Sequence, residues 1–316
     1  MHAENFNPCD QRYYLGYNED VLVAGAVSYK LNVNILTFAK FNFTIPMKVI
    51  GIPVSVDAKG LIGDGVFLEE MLYDILKKES GLIICLNYDM PLNIKNSIEM
   101  QTLPTLVHSS FKSSWGEYLQ LFRYPYRRRI LKAEQKFKAI SEEKTLCTQF
   151  TDAHYELYLN IMQRTKTKLE ILSKDFFLNL SSDFTLYSFY AESELIAWHI
   201  TVLDKGTYYF LFGGLNYALR DKYDAYYNNL IQIIKEGAAF NSNLINLGQT
   251  AEISKNRLGA NLVEKKMFLF HKNPILRFLF RLCKNVLGYK LKTEAVNVYK
   301  TNMQVKRNVL IKTYGR

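Results

Sequence analysis

Short apolar, β-branched and aromatic runs fill the N-terminal third of the chain, and Asn or Asp residues separate them. This pattern predicts consecutive antiparallel strands. An amphipathic helix is predicted from about Val66 to Lys78, where apolar residues recur at helical spacing. The segment from Gly60 to Gly65 before it is interpreted as a turn, because Asp64 within it would repel a phosphate. The predicted strands of this region are residues 13–17, 21–33, 35–43, 49–56 and 82–86.

The pattern becomes helical in the middle of the chain and then alternates between strands and helices. Residues 113–122 predict one helix, and Pro125 can occupy the first turn of a second, strongly basic one. Further along, a helix over 224–240 is predicted, with Asp224 as its N-cap. The alternation predicts an α/β fold with helices packed on mixed sheets. The other predicted elements are helices near 151–164 and 173–181 and strands at 184–191, 195–203, 207–213, 244–248 and 263–270.

Size and charge extend this picture. A chain of 316 residues with 48% hydrophobic content exceeds the usual size of one domain, so we expect two domains. The 40 Lys and Arg residues exceed the 30 Asp and Glu residues, and the net charge is +10. Such a balance favours an anionic partner, and nucleotide, tRNA, an acidic carrier protein and anionic lipid all qualify.

The cysteines and the apolar runs restrict the class of protein. Cys9, Cys85, Cys147 and Cys283 form no C-x-x-C pair and have no histidine at ligand spacing. Neither a metal site nor a disulfide framework is therefore expected. The N-terminal sequence lacks a basic segment followed by an apolar run, and no stretch reaches 18 consecutive apolar residues. We expect a cytoplasmic protein with reduced thiols.

The most informative segment runs from residue 247 to 259. It places Lys255 and Arg257 on a short predicted helix just after a hydrophobic strand. Near a helix end both cations can reach a phosphate over the adjacent strand. The alternative interpretation is a solvated basic face that ends at Gly259 as an ordinary C-cap.

A second pair of cations precedes the predicted helix 224–240. Arg220 and Lys222 lie where the free N–H groups and the dipole of that helix already favour anions. A polar surface loop, in which Asp221 and Asp224 pair locally with these cations, is the equally weighted alternative.

Three residues are candidates for proton transfer. His199 lies in the middle of a predicted strand, where a neutral imidazole could take the proton of an attacking amine. A hydrogen-bonded core histidine is the preferred interpretation of that position. Glu252 and Tyr226 are comparable candidates for base and acid, and either could be structural.

Three stretches resemble the FemAB-like branch of the GNAT N-acyltransferase superfamily, which includes the CelD-type acetyltransferases. The first is the Trp-Gly-Glu-Tyr-Leu motif at 115–119, followed by three arginines at 127–129. The second is the hairpin formed by residues 195–201 and 208–214, which leads into 220–227. The third is the segment 247–259 with its Lys-x-Arg-x-Gly ending. The resemblance covers about residues 110–272.

This resemblance implies two tandem GNAT-like folds that transfer an acyl or aminoacyl group from a thioester or tRNA ester to an amine. It implies acyl-CoA or acyl-phosphopantetheine as the donor substrate, with no permanently bound cofactor and no metal. Lys255 would then offset charge on the attacked carbonyl, while Gln249 and Arg257 contact the donor. Since residues 215–223 lack the glycines of the usual CoA loop, Arg220 and Lys222 are expected to replace them.

The expected organisation is an N-terminal GNAT-like domain (1–112), connector helices (113–140), a C-terminal GNAT-like acyltransferase domain (141–272) and a basic amphipathic tail (273–316). The expected function is N-acyl transfer to an amine of a small molecule, amino acid or amino sugar. An acidic acyl-carrier protein is a candidate partner, and tRNA a less favoured one. The alternatives are a Fem-type aminoacyl-tRNA-dependent transferase and a non-catalytic module that binds an anionic carrier or lipid. The tail is interpreted as a helix packed on the core, with peripheral contact to an anionic membrane as the alternative.

Overall fold

The computed structural model describes residues 6–7, 9–38, 41–54, 57–89, 92–165, 170–290 and 296–300. They pack into two compact units that are each assembled from separate parts of the chain. The first unit comprises residues 1–105, 165–176 and 263–291, and the second comprises 106–164, 177–262 and 292–316. The sequence-based division of the chain into contiguous domains, with boundaries after residues 112, 140 and 272, remains a prediction. Within the described ranges, no helix combines the length and hydropathy that a bilayer crossing requires.

In chain order the strands of the described residues are β1 (Gln11–Asn18), β2 (Val21–Asn34), β3 (Thr44–Ile50), β4 (Leu61–Gly63), β5 (Ile83–Tyr88), β6 (Ile98–Gln101), β7 (Thr105–Ser109), β8 (Ile140–Leu146), β9 (Thr185–Ala191), β10 (Glu194–Asp204), β11 (Thr207–Leu215), β12 (Leu244–Asn246), β13 (Asn261–Val263) and β14 (Lys266–Phe270). The helices are α1 (Gly65–Lys78), α2 (Trp115–Gln120), α3 (Tyr124–Phe137), α4 (Asp152–Arg164), α5 (Lys174–Leu178), α6 (Arg220–Tyr223), α7 (Ala225–Ala239), α8 (Glu252–Arg257), α9 (Pro274–Leu282) and α10 (Lys284–Leu287), with a 3-10 turn at Cys147–Gln149.

The first unit is built on one mixed sheet with the order β1-β2-β3-β5-β14-β6, and β4 pairs with β2. Helix α1 covers one face, where its Leu68 and Leu72 pack in a cluster with Ile50 and Phe268. The side chains that alternate with these, among them Val49, form a second cluster on the opposite face. Both faces of the central strands are therefore buried.

The second unit has its own mixed sheet, with the order β13-β7-β12-β11-β10-β9-β8. Adjacent residues of β10 serve opposite faces: the Trp198 indole donates a hydrogen bond to the carbonyl of His154 on α4, and His199 contacts α7. Helices α4 and α7 thus cover the two faces of the sheet. Mixed sheets flanked by helices in both units confirm the predicted α/β class.

Two predicted strands of the first unit are wrong. Residues 35–38 form a turn, because the Asn34 side chain accepts hydrogen bonds from the backbone N–H groups of Leu36 (3.1 Å) and Phe43 (3.0 Å). The predicted strand 49–56 ends at Ile50. Beyond it, Val54 has a left-handed φ of 65°, and residues 55–56 lie outside the described ranges.

The glycine segment before α1 is partly misinterpreted as well. Its residues 61–63 form β4 and pair with Ala24 to Ala26 of β2. Gly63 has a φ of +129°, and a Cβ there would lie 2.3 Å from the Val23 carbonyl oxygen. A glycine is required at this position because the two backbones touch.

Candidate active site

The sheet of the second unit opens between two parallel strands. Strands β11 and β12 pair from Thr207–Leu244 to Tyr209–Asn246. Strand β12 then ends, while β11 continues to Leu215. In the described part of the chain, the β12 side of β11 beyond Tyr209 has no strand partner. The opening therefore presents backbone N–H and C=O groups that a bound molecule can use.

A β-bulge lies in β11 at the start of this opening. Ile200 of β10 is opposite Phe212, but the next residue, Thr201, is opposite Phe210, so Leu211 is the additional residue. Bulges turn backbone groups out of their ladder direction and are common near active sites. The Leu211 segment thus reorients backbone groups at the mouth of the opening.

A glycine keeps this part of β11 close to its neighbour on the other side. A Cβ on Gly214 would lie 1.9 Å from the Trp198 indole nitrogen. The buried indole therefore requires glycine at this position.

The chain that leaves β12 adopts an unusual backbone conformation. Gly248, Thr250 and Ala251 have φ values of 70°, 63° and 50°. Left-handed conformations cost energy at non-glycine residues, and they concentrate at functional sites. Helix α8 begins directly after this segment, at Glu252.

Lys255 holds the strained segment in place from inside the protein. Its side chain is only 2% exposed. The ammonium donates hydrogen bonds to the carbonyl oxygens of Gln249 (2.7 Å) and Gly248 (3.3 Å). A buried positive charge therefore lies directly beside the opened strands, next to the buried residues Gln249 and Glu252.

A surface cleft of about 260 Å³ lies where helix α7 begins. Arg220 and Arg257, predicted from the sequence as phosphate contacts, both line it, as does Tyr226. Lys255 and Lys222 are not among its lining residues. The complete lining is Arg129, Arg220, Asp221, Asp224, Tyr226, Tyr227, Ser254 and Arg257.

Asp224 does not cap helix α7, so that prediction is wrong. It has a left-handed φ of 47°, and its side chain makes no capping hydrogen bond. The carboxylate instead accepts two hydrogen bonds from the Arg129 guanidinium, at 2.9 and 3.1 Å, and lies 3.2 Å from the Lys136 ammonium. Helix α3 supplies both cations, which neutralise the acid at the start of α7.

The cations of the cleft differ in how firmly they are paired. Arg220 forms a two-point ion pair with Asp221, at 2.8 and 2.9 Å, as the alternative sequence interpretation expected. Arg257 is exposed and makes no hydrogen bond or ion pair with the described residues. It is the cation of the cleft most available to a ligand. Lys222 instead places its ammonium 4.8 Å from the centre of the Tyr223 ring.

Two tyrosines form the inner part of the cleft. Burial raises the pKa of the Tyr226 phenol, so this side chain is a proton donor rather than an anion at neutral pH. The buried hydroxyl of Tyr227 has no hydrogen-bond partner among the described residues. Buried polar groups in native proteins are nearly always satisfied. An unsatisfied hydroxyl at a cationic cleft therefore fits a site that a polar ligand completes.

His199 is enclosed in a hydrogen-bonded network away from this cleft. It is fully buried, and its Nδ1 lies 2.6 Å from Asn229 Oδ1. Its Nε2 lies 3.0 Å from Glu236 Oε2, which also accepts a hydrogen bond from Tyr208 (2.8 Å). Both ring nitrogens are engaged, which is the arrangement of the core histidine preferred from the sequence. Its catalytic role stays a prediction.

Sequence reasoning missed three contributors to this site. Arg129 was noted only as part of a basic run, and its ion pair with Asp224 is a contact across 95 positions of the chain. Tyr227 follows the apolar spacing of the helix predicted over 224–240, and that pattern indicates a core position rather than a site residue. The Leu211 bulge depends on strand register, for which one sequence carries no local signal.

Comparisons with known proteins identify a matching domain family and similar folds. The family described as an acetyltransferase (GNAT) domain matches residues 122–252. The match runs from just before α3 through β12, including the opened strands, and ends at the first residue of α8, before Lys255. None of the curated proteins matches the chain in sequence.

Three solved structures share the fold over nearly the whole chain. The match to the crystal structure of FemX covers 89% of this chain and 92% of the FemX chain, at 12% sequence identity and a TM-score of 0.52. The C-terminal domain of a putative lysylphosphatidylglycerol synthetase from Agrobacterium fabrum covers 91% and 92%, at 8% identity and a TM-score of 0.53. L-PGS from Bacillus licheniformis covers 89% and 90%, at 10% identity and a TM-score of 0.53. At these identities the likeness concerns the fold alone.

Proposed function

We propose that this chain, whose residues 122–252 match the acetyltransferase (GNAT) domain family and whose fold is like that of FemX, transfers an acyl group from a phosphopantetheine thioester to an amine. The donor is acyl-CoA or an acyl-carrier protein, and the acceptor is a small molecule, amino acid or amino sugar. One observation carries the proposal: a strand opening with a buried ammonium beside it lies in the same unit as a cleft lined by three arginines.

The cleft at the start of α7 supports binding of the donor phosphates. Arg257 makes no competing ion pair with any residue of the described ranges, and Arg220 can exchange its exposed partner Asp221 for a phosphate. The first N–H groups of helix α7 have no intrahelical acceptor and add a positive potential. Arg129 and Lys136 neutralise Asp224, which would otherwise repel the donor.

The opening between β11 and β12 supports binding of the pantetheine arm and the thioester. Backbone N–H groups at the Leu211 bulge can donate to the thioester oxygen as it becomes negative. Lys255 adds a buried positive charge on the other side of the opening. Fixed donors aimed at developing charge are among the largest contributions to catalysis.

The chemistry that fits this site is direct attack. The amine nitrogen forms a bond to the thioester carbonyl carbon, the carbon–sulfur bond breaks, and the thiolate leaves with the carrier. Glu252 is proposed to receive the proton of the amine, and Tyr226 to supply a proton to the thiolate. Glu252 then releases its proton to water and the Tyr226 phenolate takes one from water, so that both residues return to their starting state. No covalent enzyme intermediate is required. Cys147 fits this account, because burial raises the pKa of its thiol to about 12.

A calorimetric titration tests the proposal. Acetyl-CoA and an acyl-carrier protein are titrated into the wild-type chain, Arg257→Ala and the matched exposed control Lys112→Ala. Losing one phosphate contact should weaken donor binding by roughly tenfold in Arg257→Ala and leave Lys112→Ala unchanged. Failure of both donors to bind the wild-type chain, or equal affinities for the two variants, would overturn the proposal.

One observation favours a second candidate, an aminoacyl-tRNA donor. Helix α3 exposes Arg128 and Lys132, and Lys138 is exposed directly after its end. These cations form no ion pair with the described residues. A filter-binding titration of tRNA over rising salt decides between the donors. Steeply salt-dependent binding that Lys132→Glu weakens would support tRNA, and binding no tighter than that of unrelated RNA would exclude it.

A further inference from the structure

Helix α9 exposes an apolar stripe. The exposed fractions of Ile275, Phe278, Leu279 and Leu282 are 69%, 60%, 49% and 66%. Spacings of three and four residues place these side chains along one helix face. None of the helix residues is buried. Of the predicted tail 273–316, Phe280 and Leu287 pack in a core cluster of the first unit, and Val298 and Tyr299 pack in one of the second. Residues 291–295 and 301–316 lie outside the described ranges.

The charged side chains of the segment that carries the stripe are all positive. Residues 271–290 contain no Asp or Glu. Arg281 and Lys284 are exposed along the same segment. Arg277 anchors the start of the helix by donating to the carbonyl oxygens of His271 and Lys272, both at 3.3 Å. An apolar helix face whose own segment carries only cations is typical of helices that lie in the interface of an anionic bilayer.

A cationic cleft of about 480 Å³ adjoins the start of α9 within the same unit. Four of its eight lining residues are cations, and none is acidic. The Lys272 ammonium donates to the Lys77 carbonyl oxygen at 2.6 Å. The ammonium groups of Lys77 and Lys95 form no ion pair with the described residues. The full lining is Tyr73, Leu76, Lys77, Lys95, Asn96, Phe270, Lys272 and Arg277.

We propose that α9 and this cleft form a docking surface for an anionic phospholipid bilayer. The apolar stripe enters the interface, and a lipid phosphate occupies the cleft. Arg277 joins the two parts, because it belongs to the helix and lines the cleft. Cations gathered in one cleft repel one another, so a bound anion is favoured there. A lipid surface supplies that anion together with an apolar phase for the adjoining stripe.

The surface is separate from the donor cleft in its residues. It is built from α1, β14 and α9, whereas the donor cleft is built from α3, α6, α7 and α8. The proposal therefore goes beyond acyl transfer and does not depend on it. Variants of this surface are expected to bind acetyl-CoA as the wild-type chain does.

Vesicle co-sedimentation of the full chain tests the proposal. The vesicles contain phosphatidylcholine alone, or phosphatidylcholine with a third of the lipid replaced by phosphatidylglycerol. Binding is expected to the anionic vesicles only, and to fall as salt rises. Inorganic phosphate added at constant ionic strength is not expected to release the protein from the vesicles, because the apolar stripe stays inserted in the bilayer.

Two double variants separate the contributions. Phe278→Asp/Leu282→Asp removes two inserted side chains and should weaken binding by at least roughly a hundredfold. Lys95→Glu/Lys272→Glu should weaken it by about thirtyfold or more. The matched controls are Ile62→Asp/Val66→Asp, at exposed positions of the same unit (75% and 69%), and Lys112→Glu/Lys138→Glu on the second unit. Both controls should bind as the wild-type chain does, and circular dichroism verifies that each variant is folded.

The proposal is overturned if the wild-type chain fails to bind anionic vesicles. It is also overturned if it binds both vesicle types equally, or if the α9 variant binds as well as its control. Release by inorganic phosphate at constant ionic strength would show a soluble phosphate site and contradict bilayer docking.

Discussion

Lys255 shows how one residue can connect backbone conformation with chemistry. Its ammonium donates hydrogen bonds to the carbonyl oxygens of Gly248 and Gln249, in the left-handed segment that follows β12. Sequence resemblance pointed to this lysine, but its burial and its partners could not be predicted. They depend on left-handed φ values at Thr250 and Ala251, two residue types for which that conformation is rare.

Replacing Lys255 by Met tests its role while keeping much of its volume. We expect kcat to fall by about a hundredfold to a thousandfold, because the charge opposite the developing oxyanion is lost. Leaving the carbonyls without a donor costs about 1–3 kcal/mol of stability, which a folded domain of typical stability tolerates. Steady-state kinetics and a thermal melt measure the two effects. An unchanged kcat in a folded Lys255→Met variant would exclude the role.

His154 makes stability depend on pH. Its Nδ1 accepts from the Thr151 backbone N–H at 3.1 Å, and its Nε2 is hydrogen bonded to Ser188 at 2.8 Å. Burial lowers the pKa of this imidazole to about 4. In the unfolded chain the ordinary pKa is about 6.5. Between these two pKa values the unfolded chain binds more protons than the folded chain. The contribution of His154 to the free energy of unfolding is therefore fully present above pH ~6.5 and is lost as the pH falls towards ~4.

The free energy of unfolding is expected to fall by about 3 kcal/mol between pH ~6.5 and ~4. Thermal melts at several pH values, with His154→Gln as the comparison, measure it. The variant should lose less stability than the wild-type chain between pH ~6.5 and ~4. Parallel pH profiles of the two proteins would contradict this assignment.

At the scale of elements, the local sequence pattern was sufficient to predict the bounds of those strands and helices that bury one distinct face. Strands β9, β10 and β11 and helix α7 were predicted within about two residues of their ends, because their apolar alternation or helical spacing is strong. Strand β8 was missed because its sequence, Ile-Ser-Glu-Glu-Lys-Thr-Leu, is polar and largely exposed at the sheet edge. Helix α6 was missed for the related reason that none of its four residues is buried.

The start of helix α7 yields a prediction about charge. Asp224→Asn removes a negative charge from the donor cleft and releases Arg129 and Lys136 from their ion pairs. Donor binding should tighten by roughly fivefold, as expected for one charge at partial exposure. The partly exposed ion pairs contribute at most about 1 kcal/mol each to stability. Calorimetry with CoA measures the affinity, and weaker binding by this variant would contradict an anion site at this cleft.

At the scale of the whole molecule, the tandem α/β class was predictable from the sequence. What was not predictable is that strands far apart in the sequence pair within one sheet. Strand β14 lies between β5 and β6 in the first sheet, and β7 lies between β12 and β13 in the second. Each of these strands pairs with partners distant in sequence, and such pairing leaves no local pattern. A test of the domain boundary predicted after residue 112 therefore shows whether the first unit needs its later strand.

A fragment of residues 1–112 should not fold by itself. It lacks β14, whose Phe268 lies opposite Cys85 on one side and Glu99 on the other. Without this strand, β6 loses its partner and the core loses a buried aromatic side chain. Circular dichroism and a urea titration measure the outcome. A cooperative unfolding transition of the fragment would show that the predicted boundary is a true domain boundary.

The central claim is that a phosphopantetheine thioester lies in the opening between β11 and β12. The most direct measurement is a crystal structure of the chain grown with acetyl-CoA. We expect density for the pantetheine arm between β11 beyond Tyr209 and residues 247–251, with a phosphate within hydrogen-bonding distance of Arg257. Density that places the arm elsewhere, or phosphates outside the cleft, would contradict the account.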